Sequence, residues 1–128
     1  MIKNWDYHGL HMDYSSMYRG NKHPSDIDLL YLGKGKVLIL GEIKNEQGTL
    51  KHGQRKLLEN LVEGWQGDGL VLFITHNKYW QDGDRVVNVA ECQVKEVYFK
   101  SEKRWRPPSR PLTVKEALDF YMEDDDDR

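Results

Sequence analysis

The chain has 128 residues, 38% hydrophobic and 31% charged, with a net charge of −2, which bounds it to one polar globular domain with a core of moderate size. No apolar run approaches the roughly eighteen residues of a membrane span, and the N-terminus carries no signal-peptide apolar region. Cys92 is the only cysteine, which excludes a disulfide framework and a multi-cysteine zinc site and makes a reducing cytoplasm the expected location.

Residues 1–24 are aromatic and irregular, with Trp5, Tyr7, Tyr14 and Tyr18 set among Gly, Asp and Ser. Asp13 is placed to cap one short helix running to Tyr18, and Pro24 pushes His23 out of helical geometry. Asp26–Leu32 and Val37–Lys44 then read as a β-hairpin around Gly33-Lys34-Gly35-Lys36. Strand alternation puts Asp26, Asp28, Leu30 and Leu32 on one face, and Leu38, Leu40, Glu42 and Lys44 on one face of the partner. Directly paired residues share a side, so the two sets meet only if paired residue numbers sum to an even value, such as 28 with 42. That requires an odd-length turn or a bulge; a two-residue turn at Lys34-Gly35 would pair 28 with 41 and split the sets.

Further along, Leu57, Leu58, Leu61 and Val62 have helical spacing and predict a helix over Leu50–Glu63, ending near Gly64. Gly69–Thr75 is a continuous apolar strand of the kind buried on both faces. Arg85–Ala90 and Val94–Lys100 read as two weaker strands. Arg106-Pro107-Pro108 breaks the structure, and Thr113 caps a last helix, Val114–Met122. The order is a mixed α/β domain over residues 1–122. Glu123 and Asp124–Asp127 then form an acidic tail, expected to be disordered and solubilising. Without residues 123–128 the body holds 18 basic and 16 acidic residues, and residues 95–110 gather six bases against Glu96 and Glu102. Such local basic surface matters more to a phosphate backbone than the total charge does.

Glu42 and Lys44 follow the apolar run Val37–Gly41, and Asp28 shares a face with Leu30 and Leu32. A Glu-x-Lys in a strand is ordinarily a surface ion pair, but charges beside a buried run are costly without a task. Two carboxylates and an amine at one place suit a hard divalent cation and a phosphodiester. Mg²⁺ is usually bound by one or two carboxylates, with waters and phosphate oxygens completing the octahedron. Asp28 and Glu42 supply the carboxylates, and the carbonyl of Ile43 is a candidate third ligand. Lys44, on the face of Glu42, is placed to orient a water or neutralise developing charge. Gln54, near the next helix start, is placed to hydrogen-bond the water or a phosphate oxygen.

His23-Pro24-Ser25-Asp26-Ile27-Asp28, then Gly41-Glu42-Ile43-Lys44-Asn45, then Gly53-Gln54-Arg55 resembles the PD-(D/E)XK nuclease superfamily. In size and layout it is most similar to small phage and archaeal Holliday-junction-resolvase-like members. The resemblance covers roughly Arg19–Thr75. It implies a restriction-endonuclease-like αβββαβ core, with a central mixed sheet flanked by helices, dependence on Mg²⁺ or Mn²⁺, and DNA as substrate. By that similarity Asp28 and Glu42 are metal ligands, Lys44 is the catalytic lysine and Gln54 an auxiliary catalytic residue. Many relatives carry a glutamate on a longer first helix. No glutamate precedes Glu42 here, so Asp13 takes that place or the position is empty. Asp26 is the alternative to Asp28.

Other cations are candidates for DNA contact: Arg19 and Lys22 before the first strand, Lys51 and Arg55 beside Gln54, and Arg104 and Arg106 around Trp105. Their ordinary readings are a solvated loop, a polar helix face and, for Trp105, a packing anchor. The five histidines show no metal-ligand spacing. The expected activity is a metal-dependent DNA endonuclease, selective for branched or structured DNA and acting as a homodimer. Two alternatives stand beside it: a non-catalytic nucleic-acid-binding or assembly subunit, and a nuclease for restriction, repair or end processing.

Overall fold

The computed structural model describes Ser16, residues 27–33 and residues 37–122. Within them a five-stranded sheet runs in chain order β1-β2-β3-β4-β5. Its strands are β1 (Leu29–Leu32), β2 (Leu38–Asn45), β3 (Gly69–His76), β4 (Gln93–Phe99) and β5 (Arg104–Arg106). Helix α1 (His52–Gly64) links β2 to its parallel neighbour β3, and α2 (Val114–Tyr121) closes the chain; the other strand pairs are antiparallel. The mixed α/β class agrees with expectation. The αβββαβ order would set a helix and three strands ahead of α1. Two strands stand there among the described residues, and the proposed helix Asp13–Tyr18 lies outside them apart from Ser16.

The hairpin has the even-sum register. Leu29 pairs with Gly41, Leu30 with Leu40, Tyr31 with Ile39 and Leu32 with Leu38; the ladder ends there, and Asp28 precedes it as a bend. The connection spans residues 33–37, an odd-length link closed by the Gly33 N–H donating to the Val37 carbonyl at 3.0 Å. Gly41 is required by this packing. A Cβ there would lie 3.0 Å from both Leu29 Cβ and Ile74 Cδ1, so the strand carrying Glu42 lies close against its neighbours only because position 41 has no side chain.

Period-two alternation sends the two halves of β2 and β3 to different cores. On one face Ile39, Leu72, Ile74, Val94, Val97, Val114 and Ala117 form a continuous apolar cluster under α2. On the other, Leu40, Val71 and Tyr98 pack with Leu58 and Val62 of α1. Each of these buried aliphatic side chains contributes about 1.5–3 kcal/mol relative to exposure. Helix α2 begins as its sequence predicts: the Thr113 hydroxyl accepts the Glu116 N–H at 3.1 Å and the Glu116 carboxylate accepts the Thr113 N–H at 2.9 Å, a reciprocal cap.

Two expectations fail. Arg85–Ala90 is not a strand; residues 84–88 are irregular and Val89–Glu91 is a single 3₁₀ turn. Val86 and Val87 are both exposed, so adjacent valines gave strand propensity without an alternating face to bury. Conversely Arg104–Arg106 forms β5, directly before the prolines, because Trp105 pairs with Tyr98 across the turn. That pairing is tertiary: the two rings lie 5.6 Å apart, centroid to centroid.

Candidate active site

The α1 face of the sheet carries a polar group of side chains beyond its small apolar core. Glu42 is the next residue after Leu40 on this face and lies beside Phe73 in the β2–β3 register, while Lys44 lies beside Thr75. The Glu42 side chain is 12% exposed and that of Lys44 31%, with Lys44 Nζ 3.7 Å from Glu42 Oε1. Gln54, in the first turn of α1, donates from Nε2 to the same Glu42 oxygen at 3.4 Å. Its Oε1 accepts the Lys51 N–H, also at 3.4 Å. One amide therefore ties the helix start to the strand carboxylate, a double duty that needs both a donor and an acceptor.

Asp28 reaches the group from β1. Its Oδ2 accepts the Ile43 N–H at 2.8 Å, which fixes the carboxylate against β2 just beyond the last ladder pair. A strand residue directs its N–H and its carbonyl to the same neighbouring strand, so the Ile43 carbonyl points toward the Asp28 side. Glu42, Lys44 and Gln54 are thus in contact, and Asp28 is held to the backbone of Ile43, the residue between Glu42 and Lys44. Among the described residues no group of three or more His, Cys, Asp or Glu side chains gathers to hold a metal. The donor set is two carboxylates with an adjacent carbonyl, all hard oxygens. That set fits Mg²⁺ or Mn²⁺, with remaining positions left to water and phosphate, and does not fit a structural zinc site.

The cations divide by face. Arg55 is on the α1 face, held 2.8 Å from Glu96 and 4.7 Å above the Trp105 ring. The Trp105 Nε1–H donates to Glu59 at 2.7 Å, so Trp105 is a packing anchor. Arg104 and Arg106 alternate with Trp105 and turn to the α2 face, where both pair with Glu102 and Arg106 lies 4.4 Å over Phe99. They lie on the opposite face of the sheet from Glu42; β5 splits the basic cluster of the sequence. Lys51 is exposed at the start of α1. Arg19, Lys22 and Asp26 lie outside the described residues.

One further cation of the basic stretch 95–110 lies on the site's face. Val94 and Val97 are both buried in the α2-face core, yet three residues apart they cannot share a face in a regular strand. The register shifts between Phe73 and Ile74, with Phe73 paired to Glu96 and Ile74 to Val94, leaving Lys95 as the extra residue of a β-bulge. The bulge turns Lys95 to the α1 face with Glu96, its Nζ 5.7 Å from the Phe73 ring. Glu42, Phe73 and Glu96 therefore lie in one row across three strands, with Lys95 beside that row at the bulge. The odd spacing of Val94 and Val97 was the available signal.

Burial and hydrogen bonding also set the chemistry at the far end of α1. Burial, then the Glu63 carboxylate that accepts its hydroxyl, pushes Tyr98 up to about 12. Hydrogen bonds from Lys103 and Tyr98 hold Glu63 below the usual carboxylate range.

Compared with protein-family models, with curated proteins and with solved structures, the chain matches none. No helix among the described residues is long and apolar enough to cross a membrane.

Proposed function

We infer that the protein is a metal-dependent DNA nuclease of the PD-(D/E)XK type, with branched or structured DNA as its substrate. The observation that supports this reading is the even-sum hairpin register, the parity that a site shared by Asp28 and Glu42 requires, with Lys44 and Gln54 both in contact with Glu42. Nothing in packing requires that grouping, and it costs the fold four polar side chains at the edge of a core.

Asp28 and Glu42 would hold the cation, which when bound supplies a water of lowered pKa and a polarised phosphate. The chain's own residues perform the rest. The Ile43 N–H fixes one Asp28 oxygen, and the Gln54 amide fixes one Glu42 oxygen, so both carboxylates are oriented before substrate arrives. The Lys44 ammonium faces the same Glu42 oxygen. It is placed to donate to a non-bridging phosphate oxygen as charge grows there, or to hold the attacking water in line. Lys95, over the Phe73 ring on the same face, adds a cation that suits the next phosphate of the strand.

The test is cleavage of end-labelled four-way junction, flap, duplex and single-stranded DNA with Mg²⁺ or Mn²⁺, and with chelator as control. The reading expects cutting that chelator abolishes and that favours branched substrates. No cutting of any substrate with either metal would overturn it and favour a binding or assembly subunit.

A further inference from the structure

Between β3 and β4 the chain leaves the sheet over residues 77–92, and this excursion holds out a tryptophan. Trp80 is 72% exposed, yet the turn beneath it is closely tied. Gly83 adopts φ 86°, a left-handed conformation suited to glycine, and its N–H closes on the Trp80 carbonyl at 3.0 Å. Asp84 Oδ2 accepts the Tyr79 N–H at 2.9 Å. Arg85 Nη1 donates to the Trp80 carbonyl at 3.3 Å and the Asp84 carbonyl at 3.0 Å, which sets its guanidinium 3.7 Å from the centre of the Trp80 ring. The Tyr79 hydroxyl donates to Glu46 at 3.2 Å, two residues beyond Lys44. The turn is therefore anchored at the end of the sheet that carries Lys44.

A cleft of about 240 Å³ opens at the same end, lined by Thr75, His76, Asn77, Asn88 and Gln93 among others. The β2–β3 register puts Thr75 directly beside Lys44. Polar amides and an imidazole line this cleft, groups that match the donors and acceptors on a base edge.

We propose that Trp80, backed by Arg85, is a stacking platform for an unstacked nucleobase next to the candidate active site. The orientation of this platform toward a cut site rests on the nuclease reading. An indole offers a broad apolar face that any base can cover, and a guanidinium on the opposite face holds the ring in place. A base within a duplex is already stacked on both sides and cannot use the platform. Lys78 and Arg85 are balanced by Asp82 and Asp84, so the turn contributes stacking rather than net charge. The platform thus selects DNA with unpaired bases, and it supplies a physical basis for preferring flaps or branches.

The test uses the full chain with Lys44→Ala to silence cutting, and measures anisotropy of a labelled duplex, the same duplex with a single-stranded flap, and a single-stranded oligonucleotide. Trp80→Ala is expected to weaken flap and single-strand binding roughly 5- to 150-fold and to leave duplex binding unchanged. Trp80→Phe, which keeps an aromatic face, should restore most of the loss. Trp80→Ala binding the flap as tightly as its parent, or losing duplex and flap equally, overturns the platform while leaving the nuclease reading standing. Loss confined to unpaired DNA, in a protein whose Lys44 form cuts nothing, supports the platform and overturns the nuclease reading. A parent that binds none of the three overturns both.

Discussion

The two faces of the sheet differ in what their residues do. Under α2, Ile39, Leu72, Ile74, Val94 and Val97 form an uninterrupted apolar layer. Under α1, a smaller apolar group of Leu40, Leu58, Val62, Val71 and Tyr98, with Phe73 buried beside Glu42, shares the face with Glu42, Lys44, Gln54, Arg55, Glu96 and Lys95. One face carries the burial that folds the chain, and the other is released to hold charge. The contrast teaches that β2 is shared between the tasks: its first half packs into both cores, and its even residues Glu42 and Lys44 turn charge to the α1 face.

The sharpest way to break this comparison is to exchange its consequences. Lys44→Ala and Glu42→Ala should each lower cleavage about 10³-fold or more while thermal unfolding stays near the parent. Ile74→Ala, on the neighbouring strand but the other face, should do the reverse. It should cost about 2–5 kcal/mol in denaturant unfolding, and leave the residual folded fraction active. A loss of stability from Lys44→Ala as large as that from Ile74→Ala would mean that the charged face is structural.

Gln54→Ala should lower cleavage by a smaller factor, roughly 10- to 100-fold, the worth of one hydrogen bond to a charged group. Steady-state rates on a fixed substrate would show it, and an unchanged rate would remove Gln54 from the site. Lys95→Ala sharpens the comparison at the bulge. In cleavage-silenced protein, the slope of log affinity against log salt should fall by about 0.9, the signature of one phosphate contact. Lys95→Arg should keep the slope. An unaltered slope would make Lys95 merely a cover for Phe73.

Tyr98 probes the apolar part of the α1 face. Its value is raised from 10.0 to about 12, so the folded state holds the proton more tightly than the unfolded chain. That contribution is intact below about pH 10 and is lost as pH rises toward 12. Tyr98→Phe should flatten alkaline unfolding in that window, and unchanged pH dependence would place the alkaline transition elsewhere.

The hairpin was the most legible part of the sequence. Strand alternation left two registers, of which only the even-sum one serves a site shared by two carboxylates, and the observed pairing of Leu29 with Gly41 is even-sum. The reciprocal cap of Thr113 and Glu116 was legible for the same reason, since local chemistry decides it. Three features were not. β5 exists through the contact of Trp105 with Tyr98, which no local pattern encodes. The division of Arg104 and Arg106 from the site follows from that strand. Val86 and Val87 have strand propensity but no partner edge among the described residues, and tertiary context overrode it. The bulge at Lys95 lay between these cases, since the three-residue separation of two buried valines already required an extra residue.

The most direct measurement of the central claim is a double-mutant cycle on cleavage with Asp28→Asn, Glu42→Gln and the pair. If the two carboxylates act as one unit, the double variant is no slower than the slower single variant, because either change already removes the whole contribution. Losses that multiply, or a single variant that keeps parental activity, would contradict a shared site across the hairpin.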